Sequence, residues 1–222
     1  MQCCNADEKS YGMKNYRITS SVVLREGAAI LDGKVVLEMP GSEVSTFCKE
    51  LYRTLKTDYS KFFKMDNLCK LAFISAELLL KNHSLTGYQP DEVALVFSNA
   101  NASLDTDRNY YGSVEDKSNY FPSPAVFVYT LPNIMMGEIC IRHKLLGENT
   151  FFISKKFDAE LISGYAVQIL NSAKAECVIA AWVEVGDKNW EAALFLIERG
   201  DEIADQLLSP AAMEEIFTKR FG

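Results

Sequence analysis

The spacing of apolar and polar positions changes several times along the chain, and each change predicts an element. Tyr16 to Leu24 alternates weakly and reads as a first strand. From Ser42 to Lys56, Val44, Phe47, Cys48, Leu51, Tyr52 and Leu55 fall on one helical face, with Ser42 as the expected N-cap. A second helix is predicted from Asp66 to Lys81, with Leu68, Leu71, Ala72, Ser75, Leu78 and Leu79 on its inner side. Glu92 to Phe97 follows Pro90 and reads as a short buried strand.

Ser98 to Tyr120 is rich in Ser, Asn, Asp and Tyr without clear periodicity and predicts a long surface loop, a place where function often lies. Helical spacing returns from Leu131 to Lys144, opened by Thr130 and Pro132 and closed near Gly147. A strand at Thr150–Ser154 and a helix from Asp158 to Lys174 come next. Strands at Cys177–Val185 and Ala192–Ile197 flank a turn around Gly186-Asp187, and an amphipathic helix from Pro210 to Arg220 follows. Five strands alternating with helices predict an α/β fold: a mixed, mostly parallel sheet with helices on its faces and an antiparallel last pair. The polar residues 1–15 read as a loose tail, and residues 16–222 as one domain.

Two elements ask for unusual cover. Leu161 to Ala173 contains no charge, and its apolar positions wrap more than half the helix circumference. Cys177 to Val183 is continuously apolar, as in a strand buried on both faces. Leaving about four large side chains of that helix in water would forfeit roughly 6–12 kcal/mol, comparable with the stability of a whole domain. Two covers are open: the C-terminal helix and the long loop, or a partner subunit.

Composition narrows the function. The chain has 222 residues, 23 basic and 30 acidic, and a formal charge of −7. That balance argues against nucleic-acid binding, which needs clustered cations. Its two histidines, His83 and His143, leave little for a metal site, and neither a metal nor a cofactor is expected. The six cysteines show no metal-type spacing, and four lie in apolar segments. Residues Asn5 to Ser10 are polar, so no signal peptide is expected, and Leu71 to Leu80 is too short to span a bilayer. No membrane partner is expected, and a reducing cytoplasm is the expected compartment.

Residues 121–154 carry a more specific pattern: Ser123-Pro124, Phe127, Thr130-Leu131-Pro132-Asn133, Gly137-Glu138-Ile139-Cys140-Ile141-Arg142-His143, then Gly147 leading into Phe151-Phe152-Ile153. This resembles the central signature of the β-ketoacyl synthases. The helix at Lys64–Leu80 and the strand at Ala175–Trp182 are similar to the family's flanking elements, so the likeness spans most of residues 16–200. It implies a single thiolase-like half, βαβαβαββ.

Departures from the family pattern are as informative. The resemblance places a cysteine nucleophile after the Phe151–Ile153 strand, at a helix N-terminus where the dipole and free N–H groups stabilise a thiolate and an oxyanion. Gapless counting puts that position at Lys156, to within one residue, in the text Ser154-Lys155-Lys156-Phe157-Asp158. A lysine cannot attack as a thiolate does. The family's glycine pair after the next strand is Ala181-Trp182 here, and its catalytic histidines and lysine belong to a second half that this sequence does not contain. His143 is read as a helix-end residue facing the C-terminal dipole.

The pattern resembles the short chain-length-factor-like subunits of aryl polyene-type clusters. That implies a non-catalytic subunit partnering a full-length β-ketoacyl-ACP synthase, with acyl carrier protein met indirectly. The implied subunit interface is Leu131, Pro132, Asn133, Phe151, Phe152 and Ile153. Arg142, Lys144, Lys155 and Lys156 are a local basic exception on an acidic chain. Three alternatives stay open: a condensing enzyme using Cys140, a homodimeric or partnerless relic that binds thioesters, and Lys156 as a Schiff-base lysine.

Overall fold

The structure, a computed structural model, describes residues 16–118, 120–186, 189–200 and 206–219. The tail expected at 1–15, Asp187 of the expected turn and Arg220 lie outside the described residues. The strands are β1 (Tyr16–Arg25), β2 (Ala28–Leu31), β3 (Lys34–Glu38), β4 (Val93–Asn99), β5 (Asn149–Ile153), β6 (Cys177–Val185) and β7 (Trp190–Arg199). The helices are α1 (Val44–Leu55), α2 (Asn67–Leu79), α3 (Leu104–Gly112), α4 (Pro124–Phe127), α5 (Ile134–His143), α6 (Ala159–Asn171) and α7 (Pro210–Thr218).

The strands form one sheet in the order β3-β2-β1-β7-β6-β4-β5. The α/β architecture agrees with the sequence reading, but the sheet has seven strands rather than five. Nor is it mostly parallel: of its six pairings only β4–β5 and β4–β6 are parallel. The β2–β3 hairpin supplies the two extra strands and two antiparallel pairings, and β1 adds another by joining β7 antiparallel. The turns on either side of β2 are Glu26-Gly27 and Asp32-Gly33, and all four residues have positive φ, as a tight two-residue turn requires. Gly27 is held twice over, since a Cβ there would stand 2.2 Å from the Met39 carbonyl oxygen. The expected antiparallel pairing of the last two strands, β6 and β7, is present.

Two apolar layers sandwich the sheet. On one face α1, α2 and α5 pack through Phe47, Leu51, Leu71, Ile74, Met135 and Ile139 against β4, β6 and β7. On the other, Ile162, Ala166, Val167, Ile169 and Leu170 of α6 pack against Val96, Ala180 and Phe195. Every residue of β4 is buried, as is β6 from Cys177 to Val183. Of the cover expected from within the chain, the C-terminal helix packs on α6. Met213 of α7 is fully buried, and Ala212, Ile216 and Phe217 pack into the same cluster.

Several helix starts follow from capping. Asp66 accepts from the Cys69 N–H at the start of α2, and Asp158 from the Leu161 N–H at the start of α6. Ser42, the expected cap of α1, is displaced by Glu43, which makes no side-chain cap bond. The expected loop at 98–120 contains α3, a helix whose single buried residue is Thr106. A helix so polar has no apolar stripe for periodicity to detect.

Candidate functional site

The parallel strands β4, β5 and β6 deliver their C-terminal ends to one side of the sheet, where open α/β sheets commonly place ligands. Three turns meet there. After β4, Asn99 closes on Ala102 through bonds in both directions at 2.9 Å, while Glu184 of β6 accepts from the Ala100 and Asn101 N–H groups at 2.6 and 3.2 Å. After β5, the Ser154 N–H donates to the Asn99 carbonyl at 2.9 Å. That contact fixes the start of the Ser154–Asp158 turn that leads into α6.

Lys155 and Lys156 are exposed on this turn. Phe157 turns inward, its ring 4.5 Å from that of Phe217 and 6.0 Å from that of Phe195. The chain's own Asp158 carboxylate already occupies the N-terminus of α6, at 2.9 Å from the Leu161 nitrogen. A dipole end satisfied in this way has less left to give a thiolate or an oxyanion.

Cys140 lies mid-helix in α5, half-buried, its Sγ donating to Asn149 Oδ1 at 3.3 Å. Burial pushes its thiol above the ordinary value, the opposite of what a nucleophile needs. His143 ends α5 as expected, with Nε2 3.0 Å from Glu77 Oε1. Arg142 grips the same carboxylate with two bonds, at 3.2 and 3.1 Å. The sequence reading missed Glu77, because its partners come 65 residues later.

The six residues expected at a subunit interface fall in two places, Leu131, Pro132 and Asn133 just before α5 and Phe151, Phe152 and Ile153 in β5. β5 is the outer strand of the sheet, so among the described residues one edge of its backbone has no strand partner. Leu131 is 56% exposed and Ile153 59%, and Asn133 is also exposed. Pro132, Phe151 and Phe152 are half-buried. The two phenylalanines point to opposite layers, Phe151 beneath α5 and Phe152 edge-on to Tyr165 at 5.1 Å. What faces outward is therefore the strand's backbone, framed by apolar side chains. Phe127, Val128, Ile141 and Leu146, which were not among the expected interface residues, are exposed as well. Ile141 could have been found, because it falls opposite Met135, Met136 and Ile139, which point inward.

Among the described residues, no group of three or more His, Cys, Asp or Glu stands together to hold a metal ion. No single described helix is long and apolar enough to cross a membrane.

No protein-family model matches the chain, and no curated protein matches it by sequence. Solved structures do match. The ishigamide ketosynthase/chain length factor superposes with a TM-score of 0.65 at 17% identity, over 86% of this chain and 64% of that one. A ketosynthase in complex with its chain length factor from Xenorhabdus doucetiae matches with a TM-score of 0.53 at 15% identity, over 84% and 79%. The fold is ketosynthase-like. A β-ketoacyl synthase from Burkholderia phymatum also matches, with a TM-score of 0.60 at 11% identity, over 85% of this chain and 60% of its own. The ketosynthase-like chain thus spans less than two thirds of the length of the first and third of these. Within this fold, the turn after β5 is the one to which the sequence resemblance assigns Lys156.

Proposed function

We propose that this chain is a non-catalytic, chain-length-factor-like subunit that docks on a β-ketoacyl-ACP synthase of fatty acid, polyketide or aryl polyene-type biosynthesis. The observation that carries the reading is the unpaired edge of β5 with its apolar frame of Leu131, Ile141 and Ile153. An open strand edge invites pairing with another chain, and flanking apolar side chains supply the hydrophobic gain. A strand of the partner pairs with β5 and buries that frame. Acyl carrier protein meets the pair through the synthase, since an acidic carrier finds few complementary charges on a −7 subunit.

Catalytic silence is supported by an exposed lysine in the turn after β5, by Asp158 closing the N-terminus of α6, and by the raised thiol of Cys140. The four described cysteines are free and suit a reducing cytoplasm.

Co-production with the ketosynthase encoded nearest to it in its source genome tests both parts. The expected result is a one-to-one complex that survives size exclusion and is lost in Ile153→Asp. An electrophilic acyl mimic should label the synthase cysteine and leave this chain at its unmodified mass. A lone chain eluting apart from the synthase overturns the docking role, and an adduct on Cys140 overturns the silence.

A further inference from the structure

The surface segment Pro124–Leu131 is tied down from beneath at one residue. Phe127, Val128 and Leu131 are exposed, whereas Tyr129 between them is buried. The Tyr129 hydroxyl donates to Glu138 Oε1 at 3.4 Å. Glu138 lies on the inner side of α5, 3% exposed, with Oε2 2.8 Å from Nζ of Lys61. Lys61 belongs to the short 3-10 turn Ser60–Lys64 that precedes α2. The chain of contacts thus runs from that turn, through the buried carboxylate, to the surface segment.

A second set of bonds ties the same segment to the C-terminal end of β5. Ser103 Oγ donates to the Thr130 carbonyl at 2.8 Å. Ser103 directly follows the Asn99–Ala102 turn, and the Asn99 carbonyl accepts from Ser154 just past β5. α3 is anchored in turn by Thr106 Oγ1 to Asp66 Oδ2 at 2.5 Å and by Asn67 Nδ2 to Asp105 Oδ2 at 3.2 Å.

A carboxylate at this depth is costly to desolvate, and a well-packed apolar side chain would stabilise the site as well or better. What directional, charged contacts supply and apolar ones do not is a fixed register. We propose that Lys61, Glu138 and Tyr129 form a clamp that sets the position of the Phe127–Leu131 ledge, and through it the affinity for the docking partner. The bonds through Ser103 and Asn99 tie the ledge to the end of β5, so that both meet the partner together. This inference rests on the docking role proposed above. Glu138 and Tyr129 act as positioning residues and touch no partner themselves.

Two conservative variants test the clamp: Tyr129→Phe, which deletes one hydroxyl, and Glu138→Gln, which keeps the shape and removes the charge. Hydrogen exchange on the isolated chain reads the ledge without any partner. Amides of residues 124–134 should exchange faster in both variants, while those of α2 keep their wild-type rates. Binding to the co-produced ketosynthase should weaken by about 2-fold to 30-fold, the range typical of residues that couple to a site without touching it. Unchanged exchange at 124–134 in both variants overturns the clamp. Faster exchange with wild-type affinity overturns its effect on docking. If the wild-type chain itself does not bind the synthase, the docking role fails, and the exchange data still decide whether the clamp positions the ledge.

Discussion

Glu77 shows how single side chains in this molecule obtain their properties from distant partners. Its side chain is only 10% exposed. Burial alone would raise its carboxyl, but the contacts from His143 and the Arg142 fork outweigh burial and hold it below the usual carboxylate value. A carboxyl depressed in the folded state binds protons more readily when unfolded. Its stabilisation is therefore complete above the ordinary value of 4.5 and is lost as pH falls through the lowered one. Glu77→Gln should cost about 1–3 kcal/mol near neutral pH, as expected for charge-assisted bonds. The gap to wild type should then narrow on acidification, in urea unfolding followed from about pH 7 to about pH 3. Parallel wild-type and variant curves would refute this account. Sequence alone could not single out Glu77, because a lone glutamate on a helix normally reads as part of a solvated face. Cys140 could be singled out because it sits inside the 121–154 pattern, and Lys156 because it follows that pattern by two residues.

At the scale of elements, α6 and α7 form a pair whose need was visible before its solution. The uncharged run Leu161–Ala173 announced a helix wanting cover on more than one side. The sheet covers one side and α7 the other, with Met213 fully buried and Phe217 seated on Phe157. Arg25 fastens the far end of α7, its guanidinium donating to the Lys219 carbonyl at 2.8 Å. Met213→Ala should therefore lower unfolding free energy by about 2–5 kcal/mol, the usual cost of emptying a core methionine site. A loss below about 1 kcal/mol would mean that α7 does not seal α6. The β2–β3 hairpin and α3 escaped the sequence reading for opposite reasons. The hairpin does contain an Asp-Gly turn signal, but its strands are four and five residues long and too short to show alternation. α3 buries almost nothing, so polar bonds to α2 hold it where an apolar stripe would usually do so.

The whole molecule ends its sheet in two very different edges. β3, on one side, is five residues long, carries Lys34 and Glu38 at its ends and is protected in the usual manner of an edge strand. β5, on the other, reads Asn-Thr-Phe-Phe-Ile and has no charged residue. Its Ile153 is exposed, as are Leu131, Ile141 and Leu146, in a chain whose overall charge is −7. The strand itself thus carries no charge, although Glu148 precedes it and Lys155 and Lys156 follow it, which separates two modes of association that salt can distinguish. Docking driven by opposite charges weakens steeply as the screening length falls from about 10 Å at 0.1 M salt to about 3 Å at 1 M. Pairing of the β5 edge within an apolar frame buries few charges and should change little. Titrations against the co-produced synthase at about 0.1 M and about 1 M sodium chloride should give dissociation constants within about threefold of each other. A loss of a hundredfold or so at high salt would move the contact away from β5, toward a charged part of the surface such as Arg142 and Lys144. The uncharged edge makes salt tolerance the expected property of the complex, because at β5 the molecule presents backbone hydrogen-bonding groups and hydrocarbon, neither of which salt screens.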